Sequence, residues 1–103
     1  MAETTRNAAP ALLQLNPADN IAVLLRGVVA GSLQAVDGRE IVLGSTLPMG
    51  QKVAILPIPA GAEVLKYGLP IGVARCDIAV GDHVHLHNIE SRYTVIRDWE
   101  AST

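Results

Sequence analysis

The sequence predicts a small all-β domain with short strands, tight glycine turns and at most one or two short helical turns. The chain has 103 residues, enough for one domain with one modest core. Its apolar residues occur in short bursts rich in Val and Ile, and Gly or Pro stands between most of them. No window has the apolar spacing of a long amphipathic helix.

Eight apolar bursts mark the expected strands in chain order. They are Ala11–Leu15, Ile21–Leu25, Ile41–Leu43, Val53–Leu56, Val64–Leu65, Ile71–Ala74, Val84–Leu86 and Val95–Ile96. The stretch Asp19–Arg26 could instead form one or two helical turns. We expect residues 1–10 to be a flexible tail, residues 11–92 to be the β-domain, and residues 93–103 to be a C-terminal tail.

Glycines mark the expected turns. Asp37-Gly38 lies between two strand-like stretches and predicts a hairpin with a type I′ turn, which requires positive φ at both central positions. A short unit also recurs, in which an apolar anchor is followed three residues later by Gly and then by a new strand. Copies of this unit begin at Leu47, Ile58 and Ile78, and a looser copy begins at Val28. Their irregular spacing favours a compact domain with apolar plugs over a solenoid.

Composition excludes several classes of function. The net charge is −2, there is no basic run, and only three residues are aromatic, so a nucleic-acid partner is not expected. Cys76 is the only cysteine, which excludes an internal disulfide and suggests a buried, inert thiol. The sequence shows no signal peptide and no apolar run of about 20 residues, so we expect a cytoplasmic protein without a membrane partner.

All three histidines of the chain lie in one segment, where His83, His85 and His87 alternate with Val84 and Leu86. On a strand, the two aliphatic residues would face the core and the imidazoles would face outward, about 6.6 Å apart at the backbone. Two of them could then bind one metal ion, with the third too far along the strand. The pattern equally suits acid–base chemistry, carboxylate binding or a merely polar strand face.

Two further segments have weaker signals. Lys66 and Tyr67 lie between closely spaced glycines, which predicts a tight turn where Lys66 could hold an anionic substrate. A plain hairpin with a solvated Lys66 and a packed Tyr67 is the favoured interpretation. The segment from Asn16 to Asn20 has the composition of a turn or a helix cap.

Three stretches together resemble a known family. They are Asp19–Val23, Ile58–Gly72 and Asp77–Asn88. Over residues 15–88 the chain resembles the small N-terminal SAF domain of the altronate and galactarate dehydratases, which implies a SAF-type β-clip fold. The stretch Asn88–Tyr93 is somewhat closer to the small subunit of sulfolactate sulfo-lyase in the same superfamily.

The resemblance implies a lyase that removes water or sulfite from a 2-hydroxy acid. It assigns His85 and His87 as catalytic residues. It assigns substrate binding to Asp19, Asn20, Lys66, Tyr67 and Asn88. It also implies a divalent metal, Fe²⁺ in the first instance, held mostly by a large catalytic subunit, with no metal ligand assigned in this chain.

We therefore expect this chain to be the small subunit of a two-subunit hydro-lyase that dehydrates a sugar acid such as altronate or galactarate. Because the chain ends at Thr103, the large part is expected to be a separate polypeptide, and the small subunit is expected to be inactive alone. Two alternatives stay open: the small subunit of a sulfolactate sulfo-lyase, and a non-catalytic SAF binding module.

Overall fold

The computed structural model describes residues 10–90, and no helix within them is long and apolar enough to span a bilayer. The regular structure of this range is nine short strands. They are β1 (Leu12–Leu13), β2 (Ile21–Leu24), β3 (Leu33–Val36), β4 (Arg39–Val42), β5 (Lys52–Ala54), β6 (Glu63–Lys66), β7 (Leu69–Ala74), β8 (His83–Val84) and β9 (Ile89–Glu90). The predicted all-β class is confirmed. Apart from Pro10, the two predicted tails and the burst Val95–Ile96 lie outside the described residues.

The strands form three antiparallel sheets. The largest has the order β1-β2-β5-β8, the second is the β3–β4 hairpin, and the third has the order β6-β7-β9. Strand β2 lies inside the largest sheet, where Leu24 pairs with Leu12 on one side and Ile21 pairs with Ala54 on the other. The helical alternative for Asp19–Arg26 is therefore wrong, because strand neighbours on both sides satisfy this backbone.

The apolar anchors of the repeated motif are here called plugs. Twice in the chain, two plugs pair on either side of a hairpin. In the first unit, Val28 and Leu47 pair as an isolated bridge on either side of the β3–β4 hairpin. In the second unit, Ile58 and Ile78 pair in the same way around the β6–β7 hairpin. All four plugs are buried. The repeated sequence motif thus marks turns that close over apolar anchors, as predicted, and its copies associate in pairs.

The glycine that follows each plug has the backbone conformation that the turn needs. Gly31, Gly50, Gly61 and Gly81 have φ between 85° and 93°, a region that side chains with a Cβ rarely adopt. Gly81 has a second constraint, because a Cβ there would overlap the carbonyl oxygen of Val42. This turn is where the second unit touches the first.

The largest sheet separates two apolar clusters. Ala22 and Val53 belong to one cluster, whereas their neighbours Ile21 and Ala54 belong to the other. Successive side chains of a strand point to opposite faces, so β2 and β5 contribute to both clusters. The core is aliphatic throughout, as the composition predicts.

Cys76 does not lie in the core. It follows the end of β7, in a bend where its side chain is exposed. The predicted buried thiol is wrong, because the strand that precedes it ends at Ala74 and the chain then leaves the sheet.

We predict that Gly81→Ala destabilises the domain more than Gly50→Ala. The two glycines occupy equivalent turns and have nearly the same φ, but nothing lies within 4 Å of a Cβ built on Gly50. Gly50→Ala should cost about 1–2 kcal/mol of unfolding free energy from backbone strain alone. Gly81→Ala adds overlap with backbone and should cost roughly 3 kcal/mol or more. Urea denaturation of both variants tests this, and equal losses would contradict the close approach.

Candidate functional site

The three histidines lie together on a turn at the end of β8. The strand ends at Val84, and the chain turns through residues 85–88 before β9 begins. Asn88 holds this turn from within: its Oδ1 accepts a hydrogen bond from the backbone N–H of His85 at 3.0 Å, and its Nδ2 donates to the carbonyl oxygen of His83 at 2.8 Å. The Asn88 side chain is buried, and these two hydrogen bonds replace those that its amide would otherwise make with water.

The alternating pattern predicts a strand that continues through Leu86, and this prediction is wrong beyond Val84, where the turn begins. Val84 is fully buried as expected, but Leu86 is 71% exposed because the strand has already ended. The expectation that one histidine lies too far away is also wrong. The ring centroid of His83 lies 5.4 Å from that of His85, with the planes nearly parallel, and 5.5 Å from that of His87.

His83 is the partly buried member of the group. Its Nε2 lies 2.8 Å from Oε1 of Gln51, and because an amide oxygen can only accept, this contact favours the tautomer with the proton on Nε2. Partial burial lowers the pKa of His83, and the neighbouring His87, His85 and Lys52 lower it further by repulsion. A neutral ring is therefore favoured, with its remaining lone pair on Nδ1.

Lys52 is a member of the site that the sequence did not reveal. It pairs with Val84 across the β5–β8 ladder and is half-buried. Burial lowers the pKa of its ammonium group, and the positive charge of Lys66 lowers it further. The sequence carried little signal for it, because a lysine at the start of a strand ordinarily points into water.

Together these residues form one basic surface. The basic cluster consists of Lys52, Lys66, His83, His85 and His87. It contains every lysine and every histidine of the chain. Within residues 10–90, none of these five side chains forms an ion pair with a carboxylate. The cluster is thus a concentration of positive and titratable groups in a chain whose net charge is negative.

The hairpin that carries Lys66 is held by a buried carboxylate. Asp19 is 1% exposed, and its two oxygens accept hydrogen bonds from the backbone N–H groups of Tyr67, at 2.9 Å, and Gly68, at 2.7 Å. Tyr67 has a φ of 58°, which is strained for a residue with a large side chain. The two charge-assisted hydrogen bonds therefore stabilise a turn that its own sequence does not favour.

Asn20, the residue that follows Asp19, holds the same hairpin. Its Nδ2 donates to the carbonyl oxygen of Glu63 at 2.9 Å, and its Oδ1 accepts from the N–H of Leu65 at 2.9 Å. The expected packed Tyr67 is wrong: its ring is 62% exposed, with the Lys66 ammonium 5.9 Å from the ring centroid. Substrate binding by these residues stays a prediction.

Within residues 10–90, no three His, Cys, Asp or Glu side chains are placed to hold one ion. A groove of about 380 Å³ between the paired plugs Ile58 and Ile78 also lacks histidine and lysine in its lining.

Comparison with known proteins decides the family. The model of the altronate/galactarate dehydratase SAF domain matches residues 10–92. The chain belongs to this family. The all-β structure of short strands agrees with the SAF-type β-clip that the resemblance implies.

Relatives of this SAF domain include whole enzymes and a separate subunit. It is 43% identical over 76 residues to altronate dehydratase of Escherichia coli (strain K12). The aligned segment makes up 74% of this chain but only 15% of that enzyme. It is 31% identical over 85 residues to altronate dehydratase of Bacillus subtilis (strain 168), or 17% of that enzyme. It is 44% identical over 46 residues to (2R)-sulfolactate sulfo-lyase subunit alpha of Paracoccus pantotrophus, covering 45% of the chain and 69% of that subunit. The chain thus spans less than a fifth of these dehydratases.

We predict that Asp19→Asn destabilises the SAF domain by about 2–3 kcal/mol. One backbone N–H of the turn would face the new amide group and lose its acceptor, and the other hydrogen bond would lose its charge. Asp77→Asn is the matched control, because Asp77 also accepts a backbone N–H but is exposed, and it should cost less than about 1 kcal/mol. Chemical denaturation measures both variants. Equal losses of unfolding free energy would show that the buried Asp19 does not hold the turn.

We also predict that the free energy of unfolding falls as the pH is lowered through the histidine range. The folded state lowers the pKa of His83, so the unfolded chain binds more protons in this range. This loss of unfolding free energy is absent above about pH 6.5, grows as the pH falls, and is constant below the lowered pKa of His83. Urea denaturation at several pH values, with His83→Gln as the comparison, measures it. The same slope in both proteins would exclude His83 as its source.

Proposed function

We propose that this SAF domain is the small subunit of a two-subunit carbon–oxygen lyase that dehydrates a sugar acid such as altronate or galactarate. The observation that carries the proposal is the basic cluster, two lysines and three histidines that form no ion pair with a carboxylate within residues 10–90, on a domain whose relatives include dehydratases of these acids. In this role the domain supplies part of the active site, and a separate large subunit supplies the rest.

The chemistry of the reaction matches what the cluster offers. Removing a proton next to a carboxylate builds negative charge on that carboxylate, and nearby cations stabilise this charge. The departing β-hydroxyl needs a proton donor, and imidazole titrates near neutral pH. Lys52 and Lys66 are suited to the first task. The exposed His85 and His87 are suited to the second, as the resemblance implies.

The remaining requirements are assigned to the partner. A divalent metal such as Fe²⁺ would add Lewis-acid stabilisation of the same carboxylate charge, and we propose that the large subunit holds most of its ligands. The small share of the related dehydratases that this domain spans supports this assignment.

A sulfolactate sulfo-lyase is the second candidate. It is favoured by one observation: the matching segment makes up 69% of one sulfo-lyase alpha subunit and 49% of another, so in those proteins the related segment belongs to a short, separate subunit. A sulfonate would also be held by cations. Assays of the reconstituted complex with altronate, galactarate and (2R)-sulfolactate separate the two activities.

We predict that the purified chain has no dehydratase activity and that a large subunit with a divalent metal restores it. In the complex, His85→Asn or His87→Asn should lower turnover by roughly 10²-fold or more, because a proton-transfer group is lost. Lys52→Met should raise KM for the sugar acid and also lower turnover, since the lost charge binds the carboxylate in the ground state and stabilises the charge that builds on it during the reaction.

The matched control is Arg39→Met, which removes one positive charge from the β3–β4 hairpin, outside the basic cluster. It should leave turnover and KM close to those of the unmodified complex. Subunit association is followed by size-exclusion chromatography for every variant. Unchanged kinetics of all three cluster variants in a correctly assembled complex would refute the proposal.

A further inference from the structure

The basic cluster has a centre, and that centre is His83. Its ring lies within 5.5 Å of the rings of both His85 and His87. Lys52 lies close enough to act on it electrostatically, and Gln51 holds one of its nitrogens. The resemblance assigns catalysis to the two outer histidines and leaves this central one without a role.

The groups of the cluster lie close enough together that their positive charges repel one another. The groups that act on His83 are Lys52 from β5 and His85 and His87 from the turn, and each repels a proton on its ring. No carboxylate in residues 10–90 forms an ion pair there to offset this repulsion. An anion placed among these groups would reverse the balance, because an opposite charge within about 4–6 Å favours the protonated ring.

The orientation of His83 determines where such a proton would bind. The bond from Nε2 to Gln51 uses the proton that a neutral ring carries. No hydrogen-bond partner of Nδ1 is found among the described residues. A second proton can therefore bind at Nδ1 without breaking the bond to Gln51.

We propose that the basic cluster is a proton-coupled oxyanion site, in which a carboxylate that binds among Lys52 and the three histidines brings one proton from solvent onto Nδ1 of His83. The proposal rests on the proposed function, because it takes the sugar-acid carboxylate as the ligand, and it adds the coupling between binding and protonation. Affinity for the anion should then rise about tenfold for each pH unit that is lowered, between the pKa of His83 in the free and in the bound state.

Nuclear magnetic resonance of the full chain tests this without catalysis. The chain has three histidines and all lie in the cluster, so every imidazole signal reports on this site. Galactarate is the first probe and inorganic sulfate the second. Each should raise the pKa of His83 by at least about one pH unit. Calorimetry in two buffers of different ionisation enthalpy, at a pH midway between the two pKa values, should show uptake of about half a proton per bound anion for a one-unit rise and a larger fraction for a larger rise.

Two variants with the same change of charge sharpen the experiment. Gln51→Glu places a permanent carboxylate beside His83, so the ring should already be protonated, and galactarate should bind more weakly with little proton uptake. Gln34→Glu makes the same substitution on β3, in the other hairpin, and should behave like the unmodified chain. If Gln51→Glu does not fold, the unmodified chain still decides the matter.

Two results would overturn the proposal. One is that neither anion binds at millimolar concentration, and the other is that an anion binds while the pKa of His83 and the proton count stay unchanged. Both are independent of enzymatic turnover. An inactive complex together with proton-coupled binding would refute the proposed function alone, whereas an active complex without that coupling would refute this inference alone.

Discussion

The arrangement of this domain depends on one buried carboxylate. Asp19 binds the backbone of a turn 48 and 49 residues away, and a buried ionised group is tolerated only when hydrogen bonds replace its water. Here the two backbone N–H groups of the turn do so. Asn20 then binds β6 directly, so two consecutive residues attach the second hairpin to the start of β2. The position of Lys66 follows from this attachment.

The order of the largest sheet brings the rest of the basic cluster to the same region. Strand β5 lies between β2 and β8, which places Lys52 between the hairpin that Asp19 holds and the turn that carries the histidines. Segments around residues 52, 66 and 83–87 thus meet although the chain separates them. The fold supplies the stability needed to hold groups that repel one another, and that repulsion makes the surface receptive to an anion.

Local features of the structure could be predicted from the sequence, and features that depend on distant contacts could not. The Asp37-Gly38 turn was predictable because its two residues favour positive φ by themselves, and φ is 52° and 73°. The four plugs were visible as a repeated motif. The end of β8 was not, because His85 and Leu86 continue a strand-like alternation and only the buried Asn88 amide forms the turn. Lys52 was missed for a related reason, since its burial depends on strands far away in sequence.

The two hairpins also differ in when they can form. The first closes through residues adjacent in the chain, a process of about 1–10 μs for an isolated hairpin. The second has Tyr67 at a strained position, and its turn is held by Asp19, so this contact closes a loop of nearly fifty residues. During synthesis Asp19 leaves the ribosome before its turn does. We therefore expect the second hairpin, with the surface that carries Lys66, to form after the first.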